Sequence, residues 1–304
     1  MTDLHIHTNN SDGSDSVSQI LEKAQAMGIN LISITDHNKV SAYRELKDKK
    51  IRSGFSGEII SGTELTTTLD GETIEILGYG INTDTISKFI KASYMPRSQY
   101  QKIMFDKTYN HYKSLGLKMS IKPENFNPET MYARPVIYKD IVKFPHFREI
   151  LRYLKFPENE KFCKYHESFY KYDSFLRKEY NFPESPLFLN IDGLLPTPND
   201  VIAAVHNAGG LAFVAHLFIY TENIYRQINR IAAEYKPDGF ECYYSKFTEQ
   251  QTKYLENFCR NNKLYMSGGS DYHGKNRAGI ELGTGTGSLN VNENEVRKWA
   301  TEFI

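Results

Sequence analysis

The sequence predicts an α/β fold in which a parallel sheet closes, or nearly closes, into a barrel. Three observations lead to this prediction. Strand and helix signals alternate over residues 1–84, and they alternate again after Leu195-Pro196-Thr197-Pro198. Repeated strand–helix units of this kind build parallel sheets, and the number of strands suits a barrel. Between the two stretches, residues 88–192 differ in composition from the rest of the chain.

In the first stretch, short apolar runs predict strands and amphipathic runs predict helices. The predicted strands are Asp3–His7, Leu31–Thr35 and Glu58–Leu65, followed by a hairpin in which Asp70-Gly71 joins Thr66–Leu69 to Thr73–Leu77. Apolar residues at helical spacing predict a helix over Val17–Met27, with Ser16 as its cap and Gly28 as its end. Lys39–Ile51 is predicted as a charged surface helix.

In the second stretch, Thr197 can cap a helix that begins with Pro198, runs to His206 and ends at Gly209-Gly210. The next predicted elements are strand Leu211–His216, helix Ile224–Tyr235, strand Gly239–Tyr244, helix Thr248–Asn262, strand Leu264–Ser270, strand Leu289–Asn292 and helix Glu293–Phe303. Active sites of such barrels lie where the strands end, so reactive side chains are expected there.

Residues 88–192 carry a positive surplus that is hidden by a net charge of zero. The chain has 37 Lys+Arg and 37 Asp+Glu, but this segment holds 19 basic residues against 12 acidic ones, with 22 of the 40 aromatic residues. The sequence therefore predicts a barrel of residues 1–87 and 193–304, and an inserted, mainly helical subdomain of residues 88–192 that covers the substrate. The basic surplus could attract an anionic ligand, although a helical unit with an aromatic core and a solvated basic face explains the composition equally.

Composition also limits the cellular locations and the binding partners that we expect. The zero net charge excludes a globally basic coat for nucleic acid. Three scattered cysteines (Cys163, Cys242 and Cys259) are too few for a disulfide framework and favour a reducing compartment. No apolar run approaches the ~18 residues of a membrane span, and the N-terminal residues lack the regions of a signal peptide. We expect a cytoplasmic protein with no membrane partner; the oligomeric state stays open.

Histidine and acidic residues recur where the predicted strands end. His5 and His7 are two apart on one strand, so their imidazoles share a face, and Asp12 follows in a turn of small polar residues. Asp271 and His273 have the same spacing at a late strand end. Other strand ends contribute His37, which follows Asp36, together with Glu64 and His216.

This residue set predicts a metal centre. Imidazoles and carboxylates packed together without a cation would desolvate and repel one another. Mixed nitrogen and oxygen ligands suit Zn, Mn or Fe rather than Ca. Seven to nine such ligands exceed one tetrahedral site, so we expect two or three divalent ions, with Glu64 as the bridging carboxylate. Asp36 could hold the His37 imidazole from outside the ligand sphere.

These residues lie in longer motifs: Asp3-Leu4-His5-Ile6-His7-Thr8 with Ser11-Asp12-Gly13, Thr35-Asp36-His37-Asn38, Gly62-Thr63-Glu64-Leu65, Ala215-His216 and Gly269-Ser270-Asp271-Tyr272-His273-Gly274. In this combination, over residues 1–84 and 193–304, the sequence resembles the PHP (polymerase and histidinol phosphatase) domain family, in the branch of metal-dependent phosphoesterases with an inserted domain. The resemblance implies a distorted (β/α)7 TIM-like barrel with two or three ions of Mn, Fe or Zn at its C-terminal face. It implies these ligands: His5, His7, Asp12, His37, Glu64, His216, Asp271 and His273.

Two positions depart from the pattern of that branch. Ile74-Glu75-Ile76-Leu77-Gly78 has Glu75 where the resemblance implies a histidine ligand. Glu75 can still bind a metal, through a harder oxygen and with added negative charge, which alters the metal preference of that place or leaves it empty. Ala133-Arg134-Pro135-Val136 keeps Arg134 but has Val136 in place of the next histidine, so the choice of substrate stays open.

Three basic residues are expected to bind the substrate. Arg134 is the best candidate for a phosphate clamp, because its planar fork meets phosphate oxygens at two points; a salt bridge that packs the insertion onto the barrel is the alternative role. Lys275 and Arg277, just after the last ligand, are further candidates. Three tyrosines could stack a base or belong to the core: Tyr132, Tyr243 and Tyr272.

The expected function is hydrolysis of a phosphate ester by metal-activated hydroxide, with Arg134 neutralising the developing charge. The expected substrate is a small phosphorylated nucleoside or a short RNA, since the resembled branch includes enzymes similar to the 5′-3′ exoribonuclease and the nucleoside 3′,5′-bisphosphate phosphatase. His216 or His273 could act as the acid for the leaving alcohol in place of binding metal. The alternatives are a histidinol-phosphate-type phosphatase, against which the insertion argues, and a non-catalytic metal-binding PHP module.

Overall fold

The computed structural model describes residues 1–141, 180, 185–188 and 194–304. The chain forms two compact units: unit 1 is Met1–Tyr94 with Leu195–Ile304, and unit 2 is Met95–Leu194. The predicted boundary after residue 87 would cut a helix, Thr83–Ser93, whose Ile86 is buried in the core of unit 1. The whole helix therefore belongs to unit 1.

Unit 1 is built on one sheet, which has seven strands in the described part of the chain. The strands are β1 (Thr2–Ile6), β2 (Leu31–Ile34), β3 (Glu58–Leu69), β4 (Glu72–Tyr79), β5 (Leu211–Val214), β6 (Gly239–Tyr244) and β7 (Tyr265–Gly269), and they neighbour one another in that order. β1 to β3 pair in parallel, and so do β5 to β7. β4 is antiparallel to both of its neighbours, as expected of the second arm of the predicted hairpin.

β4 is reversed because it is the second arm of a tight hairpin. Asp70 and Gly71 both have left-handed backbone angles, with φ of 50° and 80°, as a two-residue type I′ turn requires. The predicted hairpin is confirmed, but the predicted end of the third strand at Leu65 is wrong. β3 is continuous because it exchanges partners: it pairs with β2 up to Ser61 and with β4 from Gly62 onward.

The first and last strands meet, which nearly closes the barrel as predicted. His7 N donates to Tyr272 O, and Asp271 N donates to His5 O, both at 2.9 Å. Gly269 permits this approach, since a Cβ at that position would lie 2.3 Å from His5 N. The ends of β1 and β7 are thereby held side by side.

The predicted strand Leu289–Asn292 is wrong. Residues 289–292 have no regular structure, although Leu289 and Val291 are partly buried against the core. Their alternation of apolar and polar residues reflects this packing. Because β7 already pairs with β6 and contacts β1, it offers no free edge for an eighth strand in the described part of unit 1.

The described helices are α1 (Val17–Ala26), α2 (Ala42–Glu45), α3 (Lys49–Arg52), α4 (Thr83–Ser93), α5 (Arg97–Ser114), α6 (Ala133–Ile141), α7 (Pro198–Asn207), α8 (Glu222–Tyr225), α9 (Ile228–Arg230), α10 (Glu249–Asn262) and α11 (Glu293–Ala300). The predicted caps are confirmed at α1 and α7. Ser16 accepts a hydrogen bond from Gln19 N, and Thr197 accepts one from Asp200 N, each within a capping box.

Two predicted helices are broken into shorter ones. In place of Lys39–Ile51 the chain forms α2 and α3, because Asp48 accepts from Lys50 N and so caps a new helix, which ends at Arg52. Ile224–Tyr235 is divided among α8, α9 and a π-turn, Ile231–Tyr235. In both cases the pattern of charge and hydropathy continues along the sequence, but the helical backbone conformation is interrupted.

One part of the core of unit 1 is aromatic. Trp299 stacks on Tyr79 at 5.3 Å and tilts against Phe213 at 4.8 Å between ring centroids. The Tyr79 hydroxyl donates to Leu4 O, and Trp299 Nε1 donates to Met266 O, both at 3.0 Å. This group, the aromatic core, joins β1, β4, β5 and β7 to α11.

The described residues of unit 2 contain helices and no strand, in keeping with the predicted helical character. α5 and α6 pack around apolar residues, among which the rings of Phe105 and Phe126 stack at 4.1 Å. Across all described residues, none of the helices has the length and hydropathy needed to cross a membrane.

Candidate metal centre

The structure brings the nine predicted ligands together in unit 1. β1 positions His5 and ends just before His7; β5 ends just before His216, and β7 just before Asp271 and His273. His37 follows β2, and its backbone forms an isolated parallel β-bridge with Glu64 of β3. The full set is His5, His7, Asp12, His37, Glu64, Glu75, His216, Asp271 and His273. Strand-end placement is thus correct for most of them, whereas Glu64 and Glu75 lie inside a hairpin.

Glu64 lies at the centre of the set and is fully buried. Its Oε1 is 3.0 Å from His216 Nε2 and 3.4 Å from His5 Nε2. Its Oε2 is 3.0 Å from His37 Nδ1 and 3.3 Å from His7 Nε2. Both oxygens therefore face imidazoles from different strands, which is the arrangement expected of a bridging carboxylate.

Three overlapping groups place ligand atoms within 4.8 Å of one another. The first is His5, His7 and Glu64; the second is His7, Asp12, His37 and His273; the third is His37, Glu64 and Glu75. Asp271 Oδ1 approaches the first group, 3.2 Å from His7 Nε2 and 3.5 Å from His5 Nε2. His216 approaches the third, with Nε2 3.2 Å from Glu75 Oε2.

In this cluster, the attraction between opposite charges outweighs the effect of burial on the pKa values. Although burial disfavours their ionised forms, Glu64 and Asp271 have pKa values well below the usual range, because His37 lies close to Glu64 and His5 lies close to both. Burial also disfavours imidazolium, yet Glu64 and Glu75 raise the pKa of His37 and of His216 to about 10. A centre that ionises carboxylates and attracts cations in this way is suited to divalent metal.

His7 shows the opposite behaviour. Burial, together with the neighbouring His273 and His37, lowers its pKa to about 3. His7 is therefore a neutral imidazole near pH 7, which is the form that binds a metal.

Buried polar atoms without a hydrogen-bond partner show that these residues fit a bound metal. Five buried polar atoms of the cluster have no hydrogen-bond partner among the described residues: His7 Nδ1, Asp12 Oδ1, Glu64 Oε2, His216 Nδ1 and His273 Nε2. Buried polar atoms are normally satisfied, and leaving them unpaired is costly. Of these, His7, Asp12, His273 and Glu64 belong to the three ligand groups, so a bound cation would satisfy them.

The backbone is strained beside the cluster. His216 has φ of 26° and Asp271 has φ of 56°, both in the left-handed region that favours glycine. Asn38, next to His37, has φ of 48°. Such residues persist only where their surroundings hold them, and they concentrate at functional sites.

Sequence reasoning missed two residues that contact proposed ligands. Glu241 contacts His5 and the His216 amide, and the Tyr244 hydroxyl donates to Asp271 Oδ2 at 2.8 Å. Both lie on β6, whose six residues are all buried. The one available signal was a glutamate inside an otherwise apolar, aromatic run.

Asp36 has a different contact from the one predicted. Its carboxylate accepts from Thr8 N at 2.8 Å, from Thr8 Oγ1 at 2.8 Å and from Ser11 Oγ at 2.6 Å. These bonds fix the loop that carries Asp12, rather than the His37 imidazole. Asp36 therefore acts on the loop after β1.

Among the predicted substrate-binding residues of unit 1, one is exposed to solvent and the others form ion pairs or hydrogen bonds with neighbouring side chains. Lys275 is exposed, and its amide donates to Ser14 Oγ at 2.8 Å. The Arg277 guanidinium forms an ion pair with Asp271, so it orients a proposed ligand. Tyr272 is buried and donates to Asp15 Oδ2, and Tyr243 donates to Glu256 Oε1; both belong to the core.

Two more predicted residues belong to unit 2. Arg134 lies on α6, where its guanidinium lies 4.7 Å from the ring centroid of Tyr180 and donates to Tyr100 Oη at 3.2 Å. Tyr132 is exposed, and the Arg97 guanidinium lies 4.0 Å from its ring centroid. A role of Arg134 in substrate binding stays a prediction.

Comparison with known proteins gives consistent results. The sequence model of the PHP domain matches residues 3–171. The 5′-3′ exoribonuclease of Haemophilus influenzae is 24% identical over 89% of this chain and 89% of its own length. The 5′-3′ exoribonuclease Rnm of Escherichia coli is 23% identical over 89% of this chain and 84% of its own. The fold is similar to that of a candidate metal-dependent phosphoesterase from Bifidobacterium adolescentis, with a TM-score of 0.67, 20% identity and coverage of 100% and 96% of the two chains.

Proposed function

The chain belongs to the PHP domain family, and from this premise we propose that it is a metal-dependent phosphoesterase that hydrolyses a phosphorylated nucleoside or a short RNA. The observation that carries the proposal is the convergence of five histidines and three other carboxylates around the buried Glu64. The exoribonuclease names of two relatives that match nearly nine-tenths of the chain support the substrate class.

The residues present fit two or three divalent ions, for which Mn, Fe and Zn are the candidates. His5, His7, Glu64 and Asp271 would hold one ion. Asp12, His37 and His273 surround a second position, and Glu64, Glu75 and His216 offer a further one. When bound, such ions supply Lewis acidity toward phosphate oxygens and activate water near neutral pH.

The protein's own groups hold this site in shape. The Tyr244 hydroxyl and the Arg277 guanidinium both contact Asp271 Oδ2, which leaves Oδ1 to face His5 and His7. His216 and His273 serve best as ligands; as acids they would protonate the leaving alcohol through Nε2. Arg134 and Lys275 are proposed to bind the phosphate through charge-assisted hydrogen bonds.

The test is hydrolysis by the Mn²⁺-loaded protein of three substrates. Release of inorganic phosphate is measured with p-nitrophenyl phosphate and a nucleoside 3′,5′-bisphosphate, and release of mononucleotide is measured with a short 5′-phosphorylated RNA. We expect turnover of the nucleotide or RNA substrate, loss of turnover on chelation, and recovery when Mn²⁺ is restored. Histidinol phosphate, as a fourth substrate, separates the alternative phosphatase activity.

Matched variants complete the test. His7→Ala should lose metal and activity, whereas Glu234→Gln, which changes an exposed carboxylate paired with Arg230, should keep both. Elemental analysis reports the metal content independently of turnover. Absence of hydrolysis of all four substrates, with metal present in the wild-type protein, would contradict the proposal and favour a metal-binding module without catalysis.

We also propose that the protein is cytoplasmic. Cys242 and Cys259 are free, and their Sγ atoms lie 3.7 Å apart in the core. A reduced pair of this kind fits the cytoplasm. Fractionation of cells that produce the tagged protein would test this location.

A further inference from the structure

Glu241 is a fully buried carboxylate on β6 that is not among the proposed metal ligands. Its Oε1 lies 2.8 Å from His5 Nδ1. Its Oε2 accepts a hydrogen bond from His216 N, also at 2.8 Å. Each oxygen thus contacts a different proposed ligand residue, one on β1 and one just after β5.

The contact with His5 determines which ring nitrogen is free. An ionised carboxylate only accepts hydrogen bonds, so its partner His5 Nδ1 must carry a proton. With Nδ1 carrying a proton, Nε2 is the nitrogen left to bind a metal, and it lies 3.1 Å from His7 Nε2 and 3.4 Å from Glu64 Oε1. His5 therefore presents its metal-binding nitrogen to the cluster.

The contact with His216 supports a strained backbone. His216 has φ of 26°, a conformation that a residue with a Cβ rarely adopts without support. The hydrogen bond from its amide to Glu241 holds this conformation, which aims His216 Nε2 at Glu64 Oε1, 3.0 Å away. The backbone of one ligand residue and the ring of another thus depend on the same side chain.

We propose that Glu241 is a positioning residue that orients the metal centre from outside. It sets the tautomer of His5 and the backbone of His216, and so couples β1 to the turn after β5. This inference rests on the metal centre proposed above, and it adds a residue to it that does not itself bind metal.

Glu241→Gln is the sharpest variant, since it keeps the size and shape of the side chain. The amide oxygen can still accept from His216 N, but the NH2 group then faces His5 Nδ1 and donates to it. That contact moves the ring proton to Nε2, the nitrogen that should bind metal. We expect affinity for Mn²⁺ and Zn²⁺ to fall about 10- to 100-fold, as is typical when such outer contacts are lost, measured by competition with a chromophoric chelator.

Glu256→Gln is the matched control. Glu256 accepts from the Tyr243 hydroxyl at 2.7 Å, so this variant makes the same chemical change beside the same strand without touching a proposed ligand. Its metal affinity should equal that of the wild type. If Glu241→Gln binds metal as tightly as the wild type, the inference is overturned while the proposed function stands.

A second measurement does not depend on the stability of any Glu241 variant. In the Zn²⁺-loaded wild-type protein, ¹⁵N spectra of the nine histidines should show His5 with its proton on Nδ1; His5→Gln assigns the signal. A proton on Nε2 would overturn the inference. A wild-type protein that binds neither metal would overturn the proposed function, and the inference with it.

Discussion

The metal-centre cluster and the aromatic core occupy the same barrel but treat buried polar atoms in opposite ways. In the aromatic core, Tyr79 and Trp299 each direct their one polar atom to a backbone carbonyl at 3.0 Å. In the cluster, Glu64 Oε2 and four other buried atoms have no hydrogen-bond partner among the described residues. The comparison teaches that unit 1 separates stability from chemistry: one region is satisfied by the chain alone, and the other leaves polar atoms that the proposed cations would satisfy.

The largest expected effect is on the stability of the aromatic core. Trp299→Ala removes a fully buried side chain that contacts Tyr79 and Phe213. We expect the free energy of unfolding to fall by about 3–5 kcal/mol, measured by urea denaturation. Trp299→Phe, which keeps much of the volume, should fold and bind Mn²⁺ with wild-type affinity. Weaker metal binding in Trp299→Phe would show that the two regions are not independent.

The next effect is on activity. Glu64→Gln keeps the volume but removes the charge that His37 and His5 face. We expect kcat/KM to fall about 10²- to 10³-fold, or about 2.7–4 kcal/mol in the barrier. The metal-free variant should also be less stable than the wild type at neutral pH, since His37 and His216 lose the buried carboxylate that pairs with them. A kcat/KM within threefold of wild type would show that Glu64 does not bridge the ions.

Much of this arrangement could be predicted from the sequence, because it follows from local spacing. His5 and His7 share a face by strand periodicity, and Ser16 and Thr197 are recognisable caps. The barrel fold and the family are confirmed. The nine ligand assignments stay predictions, although the structure brings all nine side chains together.

The rest depends on contacts between segments distant in sequence. Glu241 looks like any glutamate in a strand until β1 and β5 are placed beside it. The continuity of β3 past Leu65 depends on its exchange of partners from β2 to β4. Periodicity gives the face of a strand, but it does not show which neighbour a side chain meets.

The affinity of the cluster for metal should depend on pH. Protons compete with metal for His37 and His216, whose pKa values are raised to about 10 by the neighbouring Glu64 and Glu75. Metal binding therefore releases protons, and affinity should increase with pH, about tenfold per unit for each proton released. Isothermal titration with Mn²⁺ from pH 6 to 8 in buffers of different ionisation enthalpy would count these protons. An affinity that is constant with pH would mean that neither imidazole is a ligand.

Metal selectivity should depend on Glu75. Its two oxygens lie 3.4 Å from His37 Nδ1 and 3.2 Å from His216 Nε2, so it adds a hard ligand to the third group. Glu75→His should shift selectivity from Mn²⁺ toward Zn²⁺, about tenfold in the ratio of dissociation constants. Glu72→His, which changes a half-buried residue at the start of the same strand, is the control and should leave the ratio unchanged. An unchanged ratio in Glu75→His would place Glu75 outside the metal centre.

The smallest effect comes from one chemical change made in both regions. Tyr79→Phe removes the hydroxyl that donates to Leu4 O, and Tyr244→Phe removes the one that donates to Asp271 Oδ2. Each should lower the free energy of unfolding of the metal-free protein by about 1 kcal/mol, within range of chemical denaturation. Only Tyr244→Phe should weaken Mn²⁺ binding, because only Asp271 is a proposed ligand. Equal Mn²⁺ affinities in the two variants would mean that the orientation of Asp271 does not depend on Tyr244, and that the Arg277 guanidinium alone sets it.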